Sequence, residues 1–243
     1  MAAHPRLWVT TADLPRLRAW ANRDNPIYQQ GLKVLAEEAV AAMDAGRVPA
    51  EDHGGTTWVQ YPTEMYAQLF AFMSLIEEDP ATQRDYAERA RTLLMFVIDA
   101  AARGQAEDEP FRGTQFATSD RSRWWGESFA LTTDWIYPHL SREDKATIRE
   151  VFLRWADENE RAEITTYNHP EPRGVQNDPA LVADPVRVRW AANNYYTAHA
   201  RNIGLMAMAL DVEDDPSGEL RSHLDSATGA WLYVIDHLLR NDG

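Results

Sequence analysis

The sequence predicts an all-α fold: an (α/α) toroid, or an incomplete barrel, of helical hairpins with inner and outer helix layers. Three observations predict it. Apolar residues recur at 3–4 spacing through nearly all of the 243 residues. The segments so marked alternate between one-sided stripes and stretches that are apolar around most of their circumference. A helix apolar all round is buried on both sides, so these stretches form the inner layer and the one-sided helices the outer layer. The connections alternate too. Those leading into an inner helix are long (46–61, 104–121, 161–189), and those leaving one are short (79–80, 138–141, 211–216). In such an array the long connections fall on one face, and long loops in a compact domain tend to carry function.

Each element follows from local signals. Thr11 is placed to cap a short N-terminal helix over 11–22 that carries Leu14, Leu17 and Trp20. Asn25-Pro26 gives an N-cap followed by proline at the first helical position, and the hairpins run from residue 26 onward. That helix carries Ile27, Val34, Leu35 and Ala39 on one side, and Gly46 is placed to end it. The next, after Pro62, is apolar nearly all round: Met65, Tyr66, Leu69, Phe70, Phe72, Met73, Leu75, Ile76. Asp79-Pro80 is a second cap-plus-proline pair, and its helix shows Tyr86, Ala90, Leu93, Leu94, Val97, Ile98 and Ala101 in one stripe. A broadly apolar and aromatic helix runs from near Ser122 to Tyr137, with Trp124, Trp125, Phe129, Leu131, Trp135 and Ile136. Ser141 caps the following one, whose stripe is Ile148, Val151, Phe152 and Trp155. W-A-A-N-N-Y-Y-T-A-H-A-R-N, Trp190 to Asn202, then loads polar groups onto the first turns of an inner helix that continues as I-G-L-M-A-M-A-L. After Pro216, a last stripe repeats Leu220, Leu224, Ala227, Trp231, Val234 and Leu238. Residues 1–243 thus read as a single toroid-type domain. A closed ring needs more hairpins than these, so the expectation is an arc, or the N-terminal part of a longer protein.

Composition narrows the function. A net charge of -14 excludes a nonspecific nucleic-acid binder, which needs a basic footprint. It also opposes long-range attraction of an anionic substrate, unless the cleft is locally basic. The absence of cysteine excludes disulfides, thiolate catalysis and Cys-ligated zinc. No stretch approaches the roughly 20 apolar residues of a membrane span. The N-terminus M-A-A-H-P-R-L has no apolar signal-peptide core, so the expectation is a cytosolic protein or a leader outside this sequence. The histidines lack metal-ligand spacing, and no phosphate-binding, dinucleotide-binding or nucleophile-elbow motif occurs, so no metal or cofactor is expected.

The inner helices present their N-termini, with free N–H groups and positive dipole ends, to the long-loop face. Trp58, Tyr61 and Tyr66, then Trp124, Trp125 and Glu127, then Asn193, Asn194 and Tyr195 gather at the same end. Arg121 and Arg123 are the basic pair best placed for an anionic ligand, and Trp124 and Trp125 suit the apolar face of a sugar ring. Every one has a plainer reading. Asn193 and Asn194 fit N-caps. His199 shares a stripe with Ala192, Tyr195, Tyr196, Ile203 and Met206, as a hydrogen-bonded core histidine would. Glu127 fits a salt bridge or a helix-start carboxylate. Arg201 and Asn202 fit ties to neighbouring helices, although an exposed Arg201 can meet a carboxylate bidentately. His169, in Y-N-H-P of the longest loop, fits either the cleft or the bare surface.

Three stretches carry a resemblance: H-P-R-L-W-V-T-T-A-D-L-P-R-L-R-A-W, A-L-T-T-D-W-I-Y-P-H-L-S-R-E-D-K-A-T-I-R, and W-A-A-N-N-Y-Y-T-A-H-A-R-N-I-G-L-M-A-M-A-L-D. In order and spacing they resemble the heparinase II/III-like and alginate-lyase-like polysaccharide lyases. The resemblance implies an (α/α) toroid joined to a C-terminal β-sandwich, which this sequence lacks. It implies a periplasmic or secreted protein whose partner is an acidic polysaccharide or oligosaccharide, cut by β-elimination in the cleft between the two domains. That chemistry needs a group to neutralise the C5 carboxylate, a base for the C5 proton and an acid for the leaving oxygen. In such lyases an inner-helix Asn, often followed by His, does the first, and a later Tyr and a His do the proton transfers. Asn193 and Asn194 match the amide position. Tyr195 stands where the family pattern has His, and His199, one turn beyond on the same side, is the nearest imidazole. The later tyrosine has one counterpart, Tyr233, beside an outer stripe.

The catalytic candidates are therefore Asn193, Asn194, Tyr195 and His199. The substrate-contact candidates are Arg121, Arg123, Trp124, Trp125, Tyr61, Glu127 and His169. Two other readings share the architecture. A glycoside hydrolase needs two carboxylates across the cleft, for which Glu64 and Glu127 are the pair. A carbohydrate-binding or structural helical scaffold needs none.

Overall fold

The structure is a computed structural model that describes residues 3–50, 63–103, 120–160 and 194–235, with backbone only for 120–125, 158–160, 194–196, 233 and 234. Among the described residues there are eight α-helices and no strand. They are α1 (Leu14–Trp20), α2 (Lys33–Asp44, entered through a π turn over Tyr28–Leu32), α3 (Thr63–Ile76), α4 (Pro80–Arg103), α5 (Asp120–Trp135), α6 (Arg142–Glu160), α7 (Asn194–Ala209) and α8 (Glu219–Val234). Short 3-10 turns, Tyr137–His139 and Val212–Asp214, follow α5 and α7.

Side-chain caps set three of the starts. Asn25 Oδ1 accepts the Ile27 N–H at 3.0 Å ahead of the turn into α2. Asp79 Oδ2 accepts from Thr82 N–H at 2.8 Å at the start of α4. Ser141 and Asp144 form a reciprocal box at α6: Ser141 Oγ accepts the Asp144 N–H at 3.0 Å, and Asp144 Oδ2 accepts the Ser141 N–H at 2.9 Å. Gly46, at φ +72, closes α2, with Gly46 N–H bonded to Met43 O and Arg47 N–H to Ala42 O. Those two bonds are a Schellman ending, which favours glycine at the left-handed position. The cap of α1 differs from expectation. The N-cap is Asp13, not Thr11, and its Oδ2 reaches back to the Thr10 N–H (3.0 Å) and hydroxyl (2.7 Å) rather than to the first turn of the helix.

Burial follows the two kinds of helix. In α5 and the residue pair beyond it, every side chain from Ser128 to Tyr137 is buried, and in α7 His199 to Met206 are buried except Arg201. The stripes of α4 (Ala90, Leu93, Leu94, Val97, Ile98, Ala101) and α6 (Ile148, Val151, Phe152, Trp155) are each wholly buried, while their other faces are open. Two stripes are corrected. In α2 the buried side is Tyr28, Ala36, Ala39 and Ala42, and Ile27, Val34 and Leu35 are exposed. The buried face is turned by about one residue, where alanines permit close approach and larger side chains do not. In α8 Leu220, Ala227 and Ala230 are buried, but Trp231 is exposed.

The contacts also fix helix direction. Gln68 of α3 meets Ser128 of α5, and Phe72 meets Trp135 further along both, so α3 and α5 run the same way. Gly126 lies against Asn202 about midway along α5 and α7, and His4 bridges Asp134 and Asp211 at their ends, so these are parallel as well. On the other set, Arg91 of α4 holds Asp144 at the start of α6 through two bonds (2.8 and 2.9 Å), and Arg154 of α6 donates to the Ala101 carbonyl. Hence α4 and α6 also share a direction. Burial pushes the Asp144 carboxyl up, but the Arg91 and Ser141 hydrogen bonds outweigh it and hold it below the usual carboxylate range. Arg149 continues the series, reaching Asp215 at 2.9 Å just before α8.

Candidate functional site

Because α3, α5 and α7 are parallel, Thr63, Asp120 and Asn194 stand at one end of the chain's core. Three positive dipole ends converge there, together with the points where the three long connections rejoin the helices. Polar side chains sit inside these otherwise apolar helices, in the first turn of α3 and about the middle of all three. Thr63 and Glu64 of α3 are buried. The Ser128 hydroxyl donates to Gln68 Oε1 at 2.6 Å, tying α5 to α3. Arg201 NH1 lies 2.9 Å from Glu127 Oε2, tying α7 to α5. Arg201 Nε also approaches Asn202 Oδ1 at 3.3 Å.

Gly126 makes this seam. A Cβ there would sit 2.5 Å from Asn202 Nδ2 and 2.9 Å from its Cγ. Asn202 is itself completely buried, so its amide occupies the space a side chain at 126 would need. The result is a row across three helices: Gln68, Ser128, Glu127, Arg201, Asn202. Asn202 is sealed, whereas Glu127 and Arg201 keep 20% and 36% of their side-chain surface. A partly open guanidinium suits a carboxylate through its fork of donors.

Of the residues singled out by sequence, Glu127 belongs to this row, as the ion-pair partner of Arg201. His199 is fully buried within α7. Asn194 and Tyr195 open α7, and Arg121, Arg123, Trp124 and Trp125 lie in the first turns of α5. Asn193, Tyr61 and His169 lie outside the described residues. Arg201 and Asn202 tie α7 to its neighbour, as their plainer reading expects. Sequence reasoning missed Gln68, Ser128 and Gly126. The available signal was a lone glycine inside a helix, W-W-G-E-S, which usually has a packing or functional reason.

The opposite end is built differently. The segment His4–Leu7 clamps the ends of α5 and α7. His4 Nδ1 is 2.5 Å from Asp134 Oδ1 and its Nε2 3.3 Å from Asp211 Oδ1. Asp134 Oδ2 accepts the Arg6 and Leu7 N–H groups, both at 2.9 Å. Arg6 donates to Asp211 (2.6 Å) and to the Met208 and Leu210 carbonyls, placing a cation on the negative end of α7. The His4 ring stacks on Tyr137 at 3.6 Å, and the Tyr137 hydroxyl meets Asp214. Burial and Asp214 push that hydroxyl well up. Burial pushes Asp211 up, but Arg6 and His4 outweigh it and hold its carboxyl below the usual range. Every polar group here is matched to another within the chain, so this end is a structural clamp.

Among the described residues no group of three or more His, Cys, Asp or Glu is arranged to hold a metal ion, and no helix is long and apolar enough to cross a membrane. No protein-family model, curated protein or solved structure matches the chain.

Proposed function

We propose that this chain is the toroid-type helical domain of an acidic-polysaccharide lyase, with α3, α5 and α7 as inner helices and α4, α6 and α8 as outer ones. A uronate chain lies across the starts of the inner helices and is cut by β-elimination. The observation that carries this reading is the polar row from Gln68 to Asn202, set across the middle of three parallel helices whose starts are where the long connections rejoin them. Asn193 and Asn194 neutralise the C5 carboxylate, which makes the C5 proton acidic. Tyr195, with His199 one turn deeper, handles the proton transfers. Arg121, Arg123, Trp124, Trp125, Tyr61 and His169 contact the sugar chain. A C-terminal β-sandwich supplies the second wall of the cleft in the full protein, which works in the periplasm or outside the cell.

The test is ultraviolet absorbance by unsaturated uronate, with alginate, heparan, chondroitin, hyaluronan and polygalacturonate as substrates. Absorbance that grows with the chain and is abolished by Asn193→Ala/Asn194→Ala is the expected result. Growth that the double variant leaves intact would remove the amides from the reaction.

A further inference from the structure

We propose that Arg201 selects for a carboxylate on the ligand, with Glu127 and Asn202 holding its guanidinium in place; this rests on the lyase reading of the same site. The chain carries a net charge of -14, so its overall field repels a polyuronate, and recognition has to come from a local cation. Arg201 is the cation of the polar row. It keeps 36% of its side-chain surface, while its neighbours His199 and Asn202 are fully buried.

The geometry already seats a carboxylate on it. Glu127 Oε2 lies 2.9 Å from NH1, an ion-pair contact made without an aligned hydrogen bond, which leaves the donors of the fork directed elsewhere. The fork is held from two sides, by Glu127 of α5 and by Asn202 Oδ1 at 3.3 Å from Nε. Asn202 is fixed in turn, because its amide fills the space beside Gly126. An arginine so held has lost much of its rotamer freedom before ligand arrives, which lowers the entropic cost of binding. Glu127 then plays two opposed parts. It orients Arg201, and it competes with the ligand for the same cation.

Titration calorimetry on the whole chain tests this, with an unsulfated hexuronate oligosaccharide and its carboxyl-reduced, neutral counterpart as probes. The chain should prefer the acidic probe. Arg201→Lys keeps the charge but loses the fork, and should weaken the acidic probe by about ten-fold or more while leaving the neutral probe unchanged. Glu127→Gln removes the competing carboxylate and should tighten the acidic probe by about three-fold or more. Circular dichroism checks that each variant folds. If Arg201→Lys does not fold, Glu127→Gln decides alone, and unchanged or weaker acidic binding overturns the proposal. A preference for the acidic probe that survives Arg201→Lys overturns the role of Arg201 and leaves the lyase reading standing. A chain that binds neither probe overturns both.

Discussion

Gly126→Ala is the sharpest structural perturbation. The added methyl would lie 2.5 Å from Asn202 Nδ2 and 2.9 Å from Cγ, distances that real side chains do not tolerate. The amide is the far end of a side chain, but it is completely buried and has no open space to swing into. Overpacking of this kind costs about 1–3 kcal/mol. Displacing the Asn202 amide from its buried setting adds about 1–3 kcal/mol. Alanine returns about 1 kcal/mol of helix propensity over glycine. The expected net loss centres on about 3 kcal/mol, or roughly 6–12 °C in Tm for a chain of this size. Gly204→Ala is the internal control. Its nearest neighbour would be Ala227 Cβ at 3.6 Å, an ordinary contact, so it should be neutral or stabilise by up to about 1 kcal/mol. The decisive assay is a double-mutant cycle by thermal or urea unfolding. In an Asn202→Ala background the clash is gone, and Gly126→Ala should become neutral or stabilising. Additive effects, or a Gly126→Ala chain that gains stability as the control does, would refute the close approach of α5 and α7.

Three further outcomes follow from the packing. Trp155→Ala empties a fully buried site against Phe129 (5.1 Å between rings) and Phe152 (6.1 Å), and should cost about 3–5 kcal/mol in urea unfolding. Gly46→Ala meets nothing within 4 Å, so its effect comes from φ +72 alone; a loss of about 1–2 kcal/mol by the same measurement is expected. The Asp144 carboxyl titrates lower in the folded chain than in the unfolded one, so its contribution is complete above the unfolded value of about 4 and fades as pH falls through the folded value. The stability gap between the chain and Asp144→Asn should therefore hold steady at neutral pH and shrink below about pH 4, as read from unfolding midpoints against pH.

What was legible in the sequence is what is local. Asn25, Asp79, Ser141 and Gly46 act within a turn of their own position, and each does what its residue type and neighbours predict. The stripes of α4 and α6 are equally plain, because large apolar side chains repeat without competition from other faces. In α2 the signal misled. Ile27, Val34 and Leu35 outweigh Ala36, Ala39 and Ala42 in hydrophobicity, yet the alanines are what let the helix close on its neighbours. A π turn at Tyr28–Leu32 also changes the angular step between the helix start and its body. The site was legible only in outline. That α3, α5 and α7 gather polar residues near their starts follows from the sequence. The pairings Ser128 with Gln68 and Arg201 with Glu127 do not, because each joins helices that only tertiary packing brings together.

The claim that matters most is that a uronate chain is cleaved at the inner-helix starts by elimination and not by hydrolysis. Mass spectrometry of an alginate or glycosaminoglycan digest, read alongside ultraviolet absorbance, tests it most directly. Elimination conserves mass: the two product fragments sum to the substrate, and one carries an unsaturated, absorbing end. Hydrolysis adds one water to the pair and produces no absorbing end. Absorbing products whose masses sum without water are the predicted result. Saturated products carrying the extra water would contradict it and favour the two carboxylates of a glycoside hydrolase instead.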